Sequence, residues 1–146
     1  MKRVVNATFA KGKGEYEDVI NAIEKTGLCP FCLENFKHHK KQIIKKIGNW
    51  FITENSWPYK NAKKHFIIIS RGHKENFSDL SLKDFKEIRE IVNFAIKEFN
   101  IRGGALALRF GNTNYTGATV CHLHFHLIMP ELGTPSKPKT VVFPIG

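Results

Sequence analysis

Three histidines alternate with large apolar residues in the stretch from His122 to Leu127, which reads His-Leu-His-Phe-His-Leu. Successive side chains of a β-strand point to opposite faces, so the three imidazoles are expected along one face and the apolar side chains along the other. Same-face neighbours are roughly 6.5–7 Å apart, twice the rise per residue. The pattern therefore predicts a packed apolar face and a histidine face that forms one wall of a site.

Imidazole titrates near neutral pH and can act as a nucleophile, a proton donor or a metal ligand. A nucleophilic imidazole needs one unprotonated nitrogen and an acceptor, such as a backbone carbonyl, that keeps the proton on the other nitrogen. His124 is best placed for this role, because His122 and His126 flank it and could neutralise charge on a phosphoryl oxygen. The row favours attack on phosphorus through a covalent histidyl-phosphate, and a catalytic metal held by the histidines is the alternative.

Cys29-Pro-Phe-Cys32 is a second chemical signal. This spacing is typical of a metal site or of a redox pair, and no thioredoxin-like βαβ pattern surrounds it. Three cysteines do not make a secreted disulfide framework, and we interpret Cys121 as a strand residue.

Size and charge set the broad class of the protein. The chain has 146 residues, typical of one compact domain, with 42% hydrophobic residues and a net charge of +10. The positive charge favours polyanionic partners, either phosphorylated small molecules or nucleic acid. No apolar run reaches the roughly 18–20 residues of a membrane span, and no apolar leader follows Met1, so a soluble cytoplasmic protein is expected.

The elements that must position the histidines follow from hydrophobic periodicity. Helical spacing predicts a short helix from Glu15 to Lys25, ended by Gly27, and a long helix over 82–99 that begins with a capping box at Ser81. Runs rich in β-branched and aromatic residues predict strands at 42–47, 50–53, 65–70, 104–111 and from residue 119. The last two strands are expected to pair antiparallel. The predicted fold class is α+β, an antiparallel sheet of about five strands with the long helix on one face.

The stretch His122 to Ile128 resembles the signature of the histidine-triad (HIT) family, in which histidines alternate with hydrophobic residues. The segment 65–73 resembles that family's strand with a histidine at each end, and Cys29-Pro-Phe-Cys32 resembles the Cys-x-Phe-Cys of many bacterial members. Gly117-Ala118-Thr119 stands where the family has Gly-Gln-Ser/Thr, so Ala118 removes a side-chain amide. The resemblance implies a HIT domain over 29–130, an N-terminal extension with a short helix over 1–28, and an extended tail over 131–146.

The resemblance implies a nucleotidyl hydrolase or transferase that acts at the α-phosphate of an adenine or related purine nucleotide conjugate. A nucleoside phosphoramidate or a dinucleoside polyphosphate is such a conjugate. His124 would be the nucleophile, the phosphate or leaving group would contact His126, His65 and the Thr119 hydroxyl, and the nucleoside would contact Asn55 and Asn112. The alternatives are removal of adenylate or a cap from nucleic-acid ends, and a zinc-stabilised nucleotide-binding module without turnover.

The resemblance also implies a zinc ligand set of Cys29, Cys32, His73 and His122. Two thiolates and two imidazoles make a closed tetrahedral site, which is typical of structural rather than catalytic zinc. HIT proteins commonly pair through sheet and helix, so a homodimer is expected as well.

Overall fold

Five antiparallel strands form one sheet in the order β1-β2-β3-β5-β4 in the computed structural model, which describes residues 3–146 without the side chains of Lys37 and His38. The strands are β1 (Ile43–Ile47), β2 (Trp50–Glu54), β3 (Ala62–Ser70), β4 (Ala105–Leu108) and β5 (His124–Pro130). The helices are α1 (Glu15–Thr26), α2 (Leu82–Glu98) and α3 (Thr113–Thr116). Short 3-10 segments lie at Ala7–Ala10, Leu33–His38 and Phe77–Asp79, the second of them with a kink at Phe36. The predicted α+β class and the antiparallel sheet are confirmed.

Local sequence explains both long helices. Ser81 caps α2, and its side chain and the Asp84 side chain form the predicted capping box. Gly27 ends α1 in the left-handed conformation at φ 69°, where a residue without a Cβ is favoured. None of the helices in the described part of the chain is both long and apolar enough to cross a membrane.

The two faces of the sheet differ in what covers them. α2 packs against one face, in a cluster that includes Trp50, Phe66, Ile91, Phe125 and Leu127. On β5, the histidines alternate with these apolar residues, and in the β3–β5 register Ile67 lies opposite His126 and Ile69 opposite His124. The face away from α2 therefore carries His124 and His126, as the alternation predicts.

The prediction that the histidine strand begins at residue 119 is wrong, because β5 begins at His124. Val120 instead forms an isolated bridge with Val5, and the Leu123 N–H donates to the Lys74 carbonyl 2.7 Å away. His122 consequently lies in a bend before the strand, and only two of the three imidazoles stand on β5.

The N-terminal segment packs over the histidine face. Val5, Ala10, Ile20, Ile23 and Val120 form a separate apolar cluster of buried side chains. The backbone N–H of Asn6 donates to the Thr119 carbonyl at 2.7 Å. Residues 3–26 thus form one wall beside the segment that precedes β5, while the predicted domain boundary after residue 28 stays a prediction.

Candidate active site and metal centre

A cavity of about 290 Å³ opens in front of the histidine face of β5. This volume is close to the lower end of the roughly 300–1,000 Å³ found for small-ligand sites. His124, His126 and Ile67 come from the sheet, and the turn before β5 contributes Thr119. The other sides are formed by α1, the Pro30–Phe31 segment, the loop at 55–59, Arg109 and Pro144. The cavity therefore joins an apolar wall to a polar floor.

His124 has the protonation pattern of a nucleophilic imidazole. Its Nδ1 lies 2.7 Å from the carbonyl oxygen of His122, and because a carbonyl only accepts, Nδ1 carries the proton. A neutral ring then has a bare Nε2, for which no hydrogen-bond partner is found within residues 3–146. Burial lowers the pKa of His124 to about 4 despite the opposing hydrogen bond to the His122 carbonyl, and the charges of His122, Arg109 and His65 act in the same direction as burial, so the ring is neutral at pH 7.

His65 and His126 belong to a chain of hydrogen bonds in which each group donates to the next, from Tyr59 to His65 to His126. The backbone N–H of Tyr59 donates to His65 Nδ1 at 3.1 Å, so a neutral His65 carries its proton on Nε2. This Nε2 lies 2.8 Å from His126 Nδ1 and donates to it, which leaves the His126 proton on Nε2. Burial lowers the pKa of His65 to about 4 and places the pKa of His126 well below its usual range. His126 is therefore a neutral hydrogen-bond donor toward the cavity.

Arg109 completes a donor pair with His126. Its Nε and Nη2 donate to the Pro144 carbonyl at 2.8 and 2.6 Å, and its Nη1 lies 3.4 Å from His126 Nε2. Both of these nitrogens carry protons, so neither accepts from the other. An anionic oxygen placed between them would accept from both, and the ring of His124 is centred 5.0 Å from that of His126. The arrangement can bind a phosphoryl group next to a free imidazole nitrogen.

The structure brings Thr119 and Asn55 to the cavity but leaves Asn112 outside it. Thr119 Oγ1 accepts a hydrogen bond from the Tyr16 hydroxyl at 2.8 Å. Asn55 Oδ1 accepts from the Trp57 N–H at 2.9 Å, and its Nδ2 lies 3.2 Å from His65 Nε2. Asn112 is exposed and caps α3 by accepting from the Asn114 N–H at 2.9 Å. The predicted contact of Asn112 with a nucleoside stays a prediction, and its observed role is that of a helix cap.

Arg109 and Tyr16 line this cavity and are missing from the sequence-based set. Arg109 directly follows Leu108, the last residue of β4, and is two positions after Ala107, which lies opposite His126 in the β4–β5 register. The strand alternation therefore contained a signal for Arg109, since it falls on the same face as His126. Tyr16 had no such signal, because it belongs to α1 and reaches the cavity only through tertiary packing.

Cys29, Cys32, His73 and His122 come together beside the cavity, with one sulfur or nitrogen atom from each lying within 4.8 Å of the others. The Sγ–Nδ1 distances are 3.3 Å for Cys29 and His122, 3.6 Å for Cys32 and His73, and 3.8 Å for Cys32 and His122. A zinc tetrahedron with Zn–N near 2.0–2.1 Å and Zn–S near 2.3 Å has edges of roughly 3.3–3.8 Å. The donor set therefore fits a closed tetrahedral metal site.

The hydrogen bonds that His73 and His122 make through Nε2 also support a metal site. His122 Nε2 donates to the Ser70 carbonyl at 2.6 Å, and His73 Nε2 donates to Glu75 Oε1 at 2.9 Å. Both Nδ1 atoms are then unprotonated, although they lie only 3.2 Å apart. Two facing lone pairs repel each other unless a cation lies between them, and partners of this kind commonly orient metal-bound histidines.

The sequence is similar to one protein family and to a HIT-like protein. The sequence matches the family described as "Protein similar to CwfJ C-terminal" over residues 17–137. An "Uncharacterized HIT-like protein" from Chlamydia muridarum (strain MoPn / Nigg) is 29% identical over 83 residues, which is 55% of this chain and 64% of that protein. The match thus spans less than two thirds of that relative.

Solved structures share the fold. A HIT family hydrolase from Clostridium thermocellum has a TM-score of 0.54 at 24% identity, over 76% of this chain and 95% of that one. A Zn-bound histidine triad family protein from Mycobacterium smegmatis has a TM-score of 0.55 at 18% identity, over 75% and 79% of the two chains. From its matched family, its histidine motif and its fold, this chain belongs to the histidine-triad family, among the proteins similar to the CwfJ C-terminal region.

Proposed function

We propose that this protein is a nucleotidyl hydrolase or transferase that forms a covalent nucleotidyl-histidine at His124. The observation that carries the proposal is the hydrogen bond of 2.7 Å from His124 Nδ1 to the His122 carbonyl. It keeps the proton on Nδ1 and leaves a bare Nε2 on a neutral ring that lines the cavity. This is what nucleophilic catalysis by imidazole requires.

The first chemical step is an in-line displacement at the α-phosphorus of a nucleotide conjugate. The His124 Nε2 lone pair forms the new P–N bond, and the bond from phosphorus to the leaving group breaks. The leaving group departs with that electron pair, and solvent supplies the proton that an amine leaving group takes up as the bond breaks. In hydrolysis, water then attacks the same phosphorus and gives up a proton to solvent, while the P–N bond breaks and its electron pair returns to His124. In transfer, another nucleophile takes the place of water.

The donors beside His124 act on the charge that develops in this step. Arg109 Nη1 and the Nε2–H of His126 would donate to a non-bridging phosphoryl oxygen, and His65 keeps His126 in the required tautomer. Preorganised donors of this kind typically contribute factors of about 10²–10³ in rate. The Thr119 hydroxyl lies on the same cavity and would contact the phosphate or the leaving group.

The apolar wall suits the nucleoside. Val19, Ile20 and Ile23 of α1 face the cavity together with Phe31 and Trp57. Ligand sites are commonly apolar with a few placed polar groups, and flat apolar walls with an aromatic side chain match a purine. Asn55 is the polar side chain proposed to contact the nucleoside. The Clostridium thermocellum relative is named a hydrolase, which supports turnover rather than binding alone.

We also propose that Cys29, Cys32, His73 and His122 bind a structural zinc ion. The support is the tetrahedral spacing of their donor atoms and the zinc named in the Mycobacterium smegmatis relative. Bound zinc would tie the Cys29–Cys32 segment to the residue that precedes β5 by two positions. With four protein ligands, the site would leave no open position for substrate.

Trapping the intermediate tests the proposed function. The protein is mixed with adenosine phosphoramidate or a diadenosine polyphosphate, denatured within milliseconds to seconds without acid, and digested for mass spectrometry. We expect one adenylyl group on the peptide that contains His124, and none after His124→Ala. An adduct elsewhere, or neither adduct nor turnover with any nucleotide, would contradict the proposal; binding without turnover would indicate a nucleotide-binding module.

A further inference from the structure

Tyr16 reaches the cavity from the N-terminal segment. It lies in the first turn of α1, its hydroxyl is 2.8 Å from Thr119 Oγ1, and its ring is centred 5.0 Å from that of Trp57. The backbone on the Thr119 side of this contact is held in place, because Val5 bridges to Val120 and the Asn6 N–H donates to the Thr119 carbonyl. Tyr16 is thus held against Thr119, which lines the same cavity as His124.

The hydrogen bond between Tyr16 and Thr119 uses the Tyr16 hydroxyl proton and leaves the Thr119 hydroxyl proton free to donate elsewhere. Tyr16 donates to Thr119 Oγ1, so the Thr119 hydroxyl proton must point in another direction. Within residues 3–146, the Thr119 hydroxyl makes no further hydrogen bond, and the side chain lines the cavity with His124. The neighbouring Ala118 has no polar side-chain atom to receive the proton. A bound substrate is therefore the partner that this proton lacks.

We propose that Tyr16 is a positioning residue, which orients the Thr119 hydroxyl so that its proton points at the leaving group of the substrate attacked by His124. This inference rests on the proposed function and adds a role for a helix outside the segment that resembles the HIT pattern. A hydroxyl aimed at the leaving atom stabilises the negative charge that appears there as the bond to phosphorus breaks.

Tyr16 acts in this arrangement as a hydrogen-bond donor and keeps its own proton. Burial raises the pKa of Tyr16, so loss of its proton in the cavity is unfavourable. A relay in which Tyr16 becomes a tyrosinate is thereby disfavoured. The step needs no net proton transfer from Thr119, since solvent supplies the proton that the leaving group takes up as its bond to phosphorus breaks.

Leaving-group dependence and a double-mutant cycle test the inference. The variants are Tyr16→Phe, Thr119→Val and the double variant, with Tyr115→Phe as the control because Tyr115 is 80% exposed. The two substrates are adenosine phosphoramidate, which has a poor leaving group, and the p-nitrophenyl ester of adenosine 5′-phosphate, which has a good one. kcat and KM are measured for each.

We expect Tyr16→Phe to lower kcat for the phosphoramidate by about tenfold, with KM within twofold of the wild type, and to lower kcat for the ester less. In the Thr119→Val background the same substitution should cause no further loss. Equal losses for both substrates, or losses that multiply in the double variant, would indicate a structural role and overturn the inference. Wild-type kcat in Tyr16→Phe, together with an inactive His124→Ala, would overturn it while leaving the proposed function intact. Absence of turnover by the wild-type protein would overturn both this inference and the proposed function.

Discussion

The side chain of His122 belongs to the proposed metal-ligand cluster, and its backbone carbonyl accepts a hydrogen bond from the His124 ring. Its Nδ1 lies 3.3 Å from Cys29 Sγ, while its carbonyl oxygen accepts the Nδ1–H of His124 at 2.7 Å. The proposed zinc site and the proposed nucleophile are therefore separated by one residue, Leu123, which is buried. Any change that moves His122 also moves the acceptor that fixes the tautomer of His124.

Removing a zinc ligand should lower stability and activity together. Cys29→Ser replaces a thiolate with a weaker ligand, so we expect loss of bound zinc, a lower Tm and a parallel loss of turnover. Structural zinc sites bind with apparent free energies of about 10–16 kcal/mol, which is folding free energy when the site exists only in the folded chain. Metal analysis of the purified protein and thermal denaturation measure the two effects.

Cys121→Ser is the matched control for this experiment, because Cys121 is a free cysteine outside the four-residue cluster. It should keep one zinc per chain and nearly the wild-type Tm. If a chelator abolished turnover at once while the Tm stayed unchanged, the metal would be catalytic and the structural assignment would be wrong.

Arg109 should matter for phosphate and not for the nucleoside. Arg109→Ala removes one of two converging donors, so kcat/KM should fall by about 10²–10³-fold. The Kd for AMP should rise by about tenfold or more, whereas the Kd for adenosine should stay within twofold. Arg109→Lys should recover only part of the loss, since an ammonium lacks the planar set of guanidinium donors. Calorimetry with AMP and adenosine measures both affinities.

Arg102→Ala serves as the control, because Arg102 is exposed and its substitution removes the same charge from the protein. Equal weakening of AMP and adenosine binding by Arg109→Ala would instead indicate that Arg109 shapes the cavity through its contacts with Pro144 and Phe143.

The sequence predicted the parts of the site that depend on local geometry. Strand alternation is a property of consecutive residues, so the face that carries His124 and His126 followed from their spacing. The beginning of β5 did not follow from spacing, because Thr119 and Val120 are β-branched and favour a strand, whereas Val120 in fact bridges to the distant Val5. Tyr16 likewise meets Thr119 only after α1 has docked, which no spacing within either segment reveals. Contacts between segments far apart in sequence therefore account for what was missed.

Asp84 links the start of α2 to the largest buried side chain of the core. Its Oδ1 accepts from the Trp50 indole N–H at 2.9 Å, and its Oδ2 accepts from the Ser81 N–H at 2.8 Å. Asp84→Ala should reduce the free energy of unfolding by about 2–4 kcal/mol, because it removes the Asp84 half of the capping box and leaves the buried Trp50 N–H without this partner. Urea unfolding measures this change.

Ser81→Ala removes only the capping contribution and should cost about 1 kcal/mol. A similar loss in both variants would mean that the Trp50 contact contributes little. Neither residue lines the cavity, so the nucleotide affinity of the folded variants should equal that of the wild type.

His65 should make the protein less stable as the pH falls from about 6.5 to about 4. An unfolded chain protonates this ring near its ordinary pKa of about 6.5, whereas burial, followed by Arg109, lowers the pKa in the folded protein to about 4. Between these values the unfolded state binds the additional proton, so the free energy of unfolding decreases with falling pH, by at most about 3 kcal/mol from this one group. The groups facing His65 are His126 on β5, Arg109 after β4, and Tyr59 and Asn55 in the loop before β3.

His65→Gln removes the titrating ring, so urea unfolding at pH 7, 5.5 and 4.5 should give a free energy of unfolding that depends less on pH than in the wild type. Asn55→Ala changes a neighbouring polar side chain without removing a titrating group and should keep the wild-type slope; equal slopes in all three proteins would show that His65 is not held neutral by the fold.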